Sequence, residues 1–120
     1  LHLLSRRQRQ MCIRDSYKNQ HLAFRMVDLA NEIEMAKYMV YKAACDKDEH
    51  KPFSASAAKA KLIAAETAMH VTTDAVQMLG GNGFMKEYHV ERLMRDAKIT
   101  QIYEGTSEIQ KIVLSKGLFV

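Results

Sequence analysis

The sequence predicts an all-α protein, an up-and-down helical bundle with four helices. Apolar residues recur at steps of three and four along two long segments, as they do on one face of a helix. Proline occurs once and glycine five times in 120 residues, too few for a turn-rich β-sandwich. No segment alternates between apolar and polar residues for long enough to predict a strand. Helices packed side by side account for this pattern.

The first helix is predicted from Gln20 to about Asp46. Its apolar positions advance by alternating steps of four and three, and neither glycine nor proline interrupts them. These positions are Leu22, Met26, Leu29, Ile33, Ala36, Val40 and Ala43. The polar segment 46–52 ends with Pro52 and predicts a connection between two helices.

A second helix is predicted to begin near Ser54 or Ser56, either of which could be its N-cap. Its first half is rich in alanine, which permits close approach of a neighbouring helix. Its apolar stripe consists of Ala58, Leu62, Ala65, Met69, Thr72, Val76 and Leu79. Glycines at and beyond a C-terminus end helices, so the sequence GGNG (80–83) predicts a plain helix stop.

Two shorter helices complete the predicted bundle. One covers Val90 to Ala97, and residues 99–105 form a connection. The last helix begins at Thr106 or Ser107 and ends at Gly117. A capping box, in which the first and fourth residues cap each other, is predicted from the spacing of Ser107 and Gln110.

The net charge of +4 is concentrated at one end of the chain. Residues 1–16 hold four arginines and one aspartate, whereas residues 17–120 are nearly neutral. An arginine-rich arm is typical of proteins that bind the phosphates of a nucleic acid. A targeting peptide would also be rich in arginine, but serine is scarce here and no small-residue cleavage site follows.

A third interpretation of this segment is favoured. Residues 6–15 resemble, codon for codon, the translation of a transposase-type sequencing adaptor, and residues 1–5 and Ser16 fit the same reading frame. We therefore expect residues 1–16 to be an artefact rather than native sequence. Cys12 and the arginine arm would then not belong to the protein, and no nucleic-acid partner is expected.

The rest of the sequence argues against several kinds of site. No histidine pairs with a histidine or cysteine at ligand spacing, so no metal site is predicted. Cys45 has no CxxC partner and is expected to pack as a small hydrophobic residue. No GxSxG or GK[ST] motif indicates an esterase or a phosphate-binding loop. No apolar run approaches the roughly 20 residues of a membrane-spanning helix.

The segment 101–108, QIYEGTSE, places a carboxylate beside a glycine just before a predicted helix. Glu104 could simply complement the dipole of that helix. Alternatively, it is a base on an unwound connection, and Gly105 lets a ligand approach the backbone closely. The residues alone leave both interpretations open.

Residues 77–114 (QMLGGNGFMKEYHVERLMRDAKITQIYEGTSEIQKIVL) resemble the C-terminal signature of acyl-CoA dehydrogenases. The resemblance continues upstream through ASAAKAKLIAAETA and FRMVDLANEIE to Asn19, so it covers essentially residues 17–120. It is closest to the short- and medium-chain branch. It implies that residues 17–120 are the C-terminal helical bundle domain of a flavoenzyme whose N-terminal and middle domains are not in this sequence.

The resemblance implies an activity and its residues. FAD would accept a hydride while Glu104 removes the α-proton of an acyl-CoA thioester, giving the trans-2-enoyl-CoA. A desolvated carboxylate suits this task because desolvation raises its pKa. Gly105 would lie against the substrate and Tyr103 would line the acyl pocket. The FAD contacts would be Asn19, Gln20, Gln77, Met78, Leu79, Gly80, Gly81, Thr106, Ser107 and Glu108.

Further expectations follow from the resemblance. The segment 77–81 would contact the FAD of a neighbouring subunit, and the helix N-terminus at 106–108 would offer backbone N–H groups to FAD. Electron-transfer flavoprotein is the expected electron acceptor, in fatty acid β-oxidation. A homotetramer is expected, in the bacterial cytoplasm or, in a eukaryote, the mitochondrial matrix.

An expectation and an alternative function concern residues 17–120 taken alone. We expect residues 17–120 alone to be inactive and to self-associate through their apolar stripes. A non-catalytic helical oligomerisation or scaffold module would share the same fold. The intact YEGT sequence (103–106) favours the enzyme, because a scaffold has no need of Glu104 beside a glycine that admits a ligand.

Overall fold

The structure is a computed structural model that describes residues 19–118. Within these residues it contains five α-helices, one short 3-10 helix and no strand, which confirms the all-α prediction. The helices are α1 (Gln20–Asp48), α2 (Ser54–Leu79), α3 (Gly81–Phe84), α4 (Val90–Thr100) and α5 (Ser107–Ser115), and the 3-10 helix is Lys86–Tyr88. The four predicted helices are present, and the single turn α3 was not predicted.

The described residues divide into two compact units at a boundary inside α1, between Asn31 and Glu32. In the first unit, Asn19 caps the beginning of α1. Its Oδ1 accepts a hydrogen bond from the backbone N–H of His21 at 3.1 Å, and its carbonyl accepts one from Ala23 at 3.0 Å. The arginines of residues 1–16 and Cys12 lie outside the described residues.

The second unit is organised around α2, which packs against α3, α4 and α5. The predicted apolar stripe of α2 is confirmed, since all seven of its residues are buried or half-buried. The buried apolar side chains of this unit are Ala36, Ala58, Ala60, Ala65 and Ala97. Because helix separation depends on the side chains at the contact, alanine allows these helices to approach closely.

The connection between α1 and α2 is fixed by Asp46, which is only 7% exposed. Its carboxylate accepts hydrogen bonds from the Ser56 hydroxyl at 2.5 Å and from the Lys42 ammonium at 3.0 Å. The hydrogen bond from Ser56 and then that from Lys42 hold the pKa of Asp46 below its ordinary value of 3.8. The carboxylate therefore stays ionised and ties the end of one helix to the first turn of the next.

The termini of these two helices differ from the prediction. Helix α1 continues to Asp48 and ends in a Schellman motif: Lys51 N–H donates to the Asp46 carbonyl and His50 N–H to the Lys47 carbonyl. His50 adopts the left-handed conformation there, with φ +55°. The N-cap position of α2 is Phe53, without a side-chain hydrogen bond, so the prediction of Ser54 or Ser56 as N-cap is wrong.

The GGNG segment does more than end a helix. Gly80, with φ +56°, stops α2, and α3 follows immediately. Gly83 is buried against the backbone of Val76, where a Cβ atom would lie 2.9 Å from the Val76 Cα and closer still to its carbonyl oxygen. The absence of a side chain at Gly83 thus lets α3 fold back onto α2, and the prediction of a plain stop was incomplete.

Large apolar side chains remain on the surface of the second unit. The exposed fractions are 62% for Tyr38, 79% for Phe84 and 53% for Ile112. Cys45 is also exposed, so its predicted packing is wrong. No helix within residues 19–118 is long and apolar enough to cross a membrane.

Replacing Gly83 with alanine should destabilise the chain by about 2 kcal/mol, because the new methyl group would overlap the backbone of α2. Gly81→Ala is the matched control, since nothing lies within 4 Å of a Cβ atom there and its φ is not positive. Urea unfolding followed by circular dichroism measures both variants. Equal stability of the two would show that the approach of α3 to α2 does not depend on Gly83.

The hydrogen bond from Ser56 to Asp46 should make stability depend on pH. Because the folded pKa of Asp46 is lowered, its contribution is fully present above 3.8 and is lost as the pH falls through the folded pKa. Ser56→Ala should lower the midpoint of thermal unfolding at neutral pH. In acid, the midpoints of the variant and the parent should lie closer together. Ser54→Ala, which changes an exposed hydroxyl of the same turn, is the control. If the midpoints of Ser56→Ala and the parent differ by the same amount at every pH, the stabilisation by Ser56 does not depend on the ionisation of Asp46.

Candidate active site

The connection between α4 and α5 carries the candidate base, Glu104. The N–H of Tyr103 donates to the Ile99 carbonyl at 3.0 Å, and the N–H of Ser107 donates to the Gln101 carbonyl at 3.1 Å. Between these bonds, Glu104 and Gly105 both have left-handed backbones, with φ +53° and +86°. This conformation costs a residue with a side chain roughly 1–2 kcal/mol, so surrounding bonds must maintain it at Glu104.

Two side chains bind the carbonyls of the left-handed pair. The Lys61 ammonium, on α2, donates to the Gly105 carbonyl at 2.6 Å. The Gln110 amide, on α5, donates to the carbonyls of Glu104 and Gly105 at 3.2 and 3.3 Å. Hydrogen bonds from other residues of the chain therefore fix the positions of both carbonyls.

A second anchor on α2 is the carboxylate of Glu66, which bridges the two ends of the loop. One oxygen accepts a hydrogen bond from the Gln101 amide at 2.7 Å, and the other accepts one from the Ser107 hydroxyl at 2.7 Å. Ser107 is buried and its hydroxyl is committed to Glu66. The predicted capping box is therefore wrong: Thr106 is the N-cap of α5, and its hydroxyl oxygen accepts a hydrogen bond from Ile109 N–H.

Three residues of this arrangement were missed by sequence reasoning. Lys61 and Glu66 are separated from the loop residues that they bind by 35 to 44 residues, and nothing in their spacing on α2 marks them as its anchors. Gln110 was considered only as half of a capping box. The left-handed backbone of Glu104 could not be predicted from the sequence either, because glutamate does not favour a positive φ.

Glu108 lies in the first turn of α5. Its own backbone N–H and the Thr106 hydroxyl hold the pKa of Glu108 below its ordinary value, and Lys111 and Lys98 act in the same direction. An ionised carboxylate there complements the helix dipole, which is the alternative role considered for Glu104. Glu104 itself precedes the helix and is exposed.

Three of the N–H groups at this helix terminus are already bonded within the chain. Those of Ser107, Ile109 and Gln110 donate to Gln101, to the Thr106 hydroxyl and to the Thr106 carbonyl. Three N–H groups near this terminus therefore have acceptors within the chain, and donation of N–H groups from residues 106–108 to FAD stays a prediction.

The other predicted substrate residues lie beside Glu104. Tyr103 is 52% exposed. A Cβ atom on Gly105 would lie 2.8 Å from the Gln110 amide nitrogen, so that face of the glycine is occupied by Gln110. The described residues do not supply the desolvated surroundings expected for the base.

The predicted cofactor segment 77–81 lies at the far end of α2. Gln77 and Gly80 are exposed, as is Gly81, whereas Met78 and Leu79 are half-buried. Nothing lies within 4 Å of a Cβ atom built on Gly80 or Gly81, so this backbone is open. Gln77 is about 16 Å along α2 from Glu66, and the segment is not brought to the Glu104 loop within this chain.

The remaining predicted cofactor residues belong to the first compact unit. Asn19 and Gln20 are exposed at the start of α1, and the Asn19 side chain already serves as a helix cap. Among residues 19–118, no group of three histidine, cysteine or acidic side chains could hold a metal ion.

The sequence matches the model of a protein family described as acyl-CoA dehydrogenase, C-terminal domain, over residues 2–119. The chain belongs to the acyl-CoA dehydrogenase family. The matched range includes residues 2–16, whose origin in an adaptor stays a prediction, as does the boundary at residue 17. Among the dehydrogenases it resembles is the short-chain specific acyl-CoA dehydrogenase of Clostridium acetobutylicum. It is 58% identical over 102 residues, which are 85% of this chain and 27% of that protein.

Solved structures that resemble this chain share its fold. Butyryl-CoA dehydrogenase from Megasphaera elsdenii has a TM-score of 0.84 and 53% identity, over 87% of this chain and 27% of the other. A chain in the structure described as the electron transferring flavoprotein of Acidaminococcus fermentans has a TM-score of 0.83 and 54% identity, over 86% and 27%. The chain thus spans about a quarter of these relatives.

In this acyl-CoA dehydrogenase domain, the left-handed backbone of Glu104 predicts a measurable cost to stability. Glu104→Gly should unfold at higher urea than Glu104→Ala, with a difference in the free energy of unfolding of about 1 kcal/mol, because only glycine adopts φ +53° without steric cost. Both variants remove the carboxylate, so the comparison isolates the backbone. An alanine variant as stable as the glycine variant would show that the loop is not strained.

Proposed function

We propose that this chain supplies the catalytic base of an FAD-dependent acyl-CoA dehydrogenase that converts an acyl-CoA thioester to the trans-2-enoyl-CoA. The observation that carries the proposal is Glu104, whose backbone is held in a costly conformation by hydrogen bonds from two helices. Strain of this kind clusters at active sites. The relative from Clostridium acetobutylicum, named as a short-chain acyl-CoA dehydrogenase, supports the same reaction.

In this mechanism the Glu104 carboxylate takes the α-proton of the thioester. Tyr103, on the neighbouring position of the loop, lines the acyl chain, and the backbone of Gly105 lies against the substrate. Lys61 and Gln110 hold the loop carbonyls, so that the base keeps its place as the proton moves. FAD, when bound, supplies the hydride acceptor that no protein side chain can provide.

The residues present fit part of an FAD molecule. The open backbone at Gly80 and Gly81 leaves room for a ligand. At the start of α5, Thr106 and Glu108 offer oxygen acceptors that suit the hydroxyl and amino hydrogens of FAD. The predicted contacts of Asn19, Gln20, Gln77, Met78, Leu79 and Ser107 remain part of the proposal.

The proposal includes partners. Electron-transfer flavoprotein is the proposed electron acceptor, supported by the 54% identical chain in the Acidaminococcus fermentans structure. A homotetramer is proposed because an apolar groove of about 370 Å³ lies open between α1 and α2, lined by residues that include Ile33, Val40 and Ala68. The bacterial cytoplasm or mitochondrial matrix stays the predicted location. A purely structural scaffold has no need of the Glu104 carboxylate beside a glycine that admits a ligand.

The test uses a hybrid enzyme in which residues 17–120 replace the corresponding C-terminal quarter of Megasphaera elsdenii butyryl-CoA dehydrogenase. Butyryl-CoA should bleach the flavin absorbance of the hybrid. Glu104→Gln should slow this reduction by about 10²- to 10⁴-fold, because the amide cannot accept the α-proton.

Glu87→Gln is the matched control, since Glu87 is an exposed carboxylate on the 3-10 helix and has no role in the proposed site. It should reduce flavin at the parent rate. If the Glu104→Gln hybrid binds FAD and bleaches as fast as the parent, the assignment of the base is wrong.

A further inference from the structure

Helix α2 holds the Glu104 loop at three points. Lys61 reaches the carbonyl of Gly105, immediately after the candidate base. Five residues further along the helix, Glu66 binds Gln101 before the loop and Ser107 after it. The left-handed pair therefore lies between two bonds to one carboxylate and is itself held by an ammonium group of the same helix.

The direction of the Glu104 side chain depends on this backbone. A change of φ from positive to negative turns the Cα–Cβ bond relative to the loop, and the carboxylate turns with it. The positive φ is unfavourable for glutamate, so the loop would relax if its holding bonds were removed. Of these bonds, that from Lys61 is short and charge-assisted, and such bonds are stronger than those between neutral groups.

We propose that Lys61 and Glu66 are positioning residues that keep Glu104 in the orientation needed to remove the substrate proton. The catalytic part of this inference rests on the proposed function. The backbone part does not, because it concerns only the conformation of residues 101–107 in this chain. Neither residue touches substrate in the mechanism above, and each acts through the loop.

The chain offers a matched control for Lys61. Lys59 lies on the same helix, is exposed, and is two residues away. Lys61→Met removes the ammonium but keeps an unbranched stem, Lys59→Met removes the same charge from the helix, and Lys61→Arg restores a charged donor. Glu66→Met is a second disrupting variant, which removes the other anchor without touching Lys61.

The first readout is the backbone of Glu104 in the 120-residue chain, with folding checked by circular dichroism. A residue with positive φ gives a strong nuclear Overhauser cross-peak between its own amide and Hα protons, because these two protons lie close together. The cross-peak of Glu104 should be strong in the parent, Lys59→Met and Lys61→Arg chains. It should weaken in Lys61→Met and in Glu66→Met.

The second readout is flavin reduction in the hybrid enzyme. Lys61→Met and Glu66→Met should lower the limiting rate of reduction by about 10- to 100-fold with little change in the substrate concentration that gives half that rate, since a misplaced base slows the chemical step more than binding. Lys61→Arg should restore most of the rate, and Lys59→Met should match the parent.

The outcomes separate this inference from the proposed function. If Lys61→Met and Glu66→Met leave both the cross-peak and the rate at parent values, the positioning role is wrong although Glu104 remains the base. If either variant changes the cross-peak but not the rate, the anchors shape the loop without serving catalysis, and the inference also fails. If Glu104→Gln reduces flavin at the parent rate, the proposed function fails, and the NMR comparison still decides whether α2 sets the backbone.

Discussion

The carboxylate of Glu66, shared between Gln101 and Ser107, is the interaction on which the arrangement of α4, α5 and their connection depends. It joins the residue that follows α4 to the first residue of α5 and ties both to α2. An unpaired Ser107 hydroxyl, buried in this interface, would carry a desolvation cost of about 1–3 kcal/mol. The bridge thus satisfies a buried polar group and sets the span of the loop with the same two bonds.

Such a bridge requires helices that lie close together, and alanine provides this closeness. Ala58, Ala60 and Ala65 on α2 are buried and small, so neighbouring helices can approach α2 closely enough for its polar side chains to reach them. The 2.6 Å bond from Lys61 to Gly105 depends on the same closeness. Packing and polar contacts therefore depend on each other in this domain, because the small alanines determine where the longer side chains of Lys61 and Glu66 can bind.

The helices and the apolar stripe of α2 could be predicted because each depends on residues three or four apart. The resemblance of residues 77–114 to a family could likewise be recognised from contiguous sequence. The anchors Lys61 and Glu66 could not, because their partners lie 35 to 44 residues away and neither residue type is unusual on a helix. The termini were also missed: Ser56 and Ser107 have the spacing of caps, but each donates its hydroxyl to a carboxylate that only tertiary packing brings near.

An alanine core has a consequence for how this domain can vary. Trimming Ala65 or Ala97 to glycine would cost about 1 kcal/mol of helix propensity, and any larger residue would drive the helices apart. The buried alanines therefore tolerate little change in size, whereas exposed side chains such as Tyr38 and Ile112 leave room for exchanges within the chain itself. Substitutions at the exposed surface can therefore change what this domain contacts while the internal spacing of the helices stays unchanged.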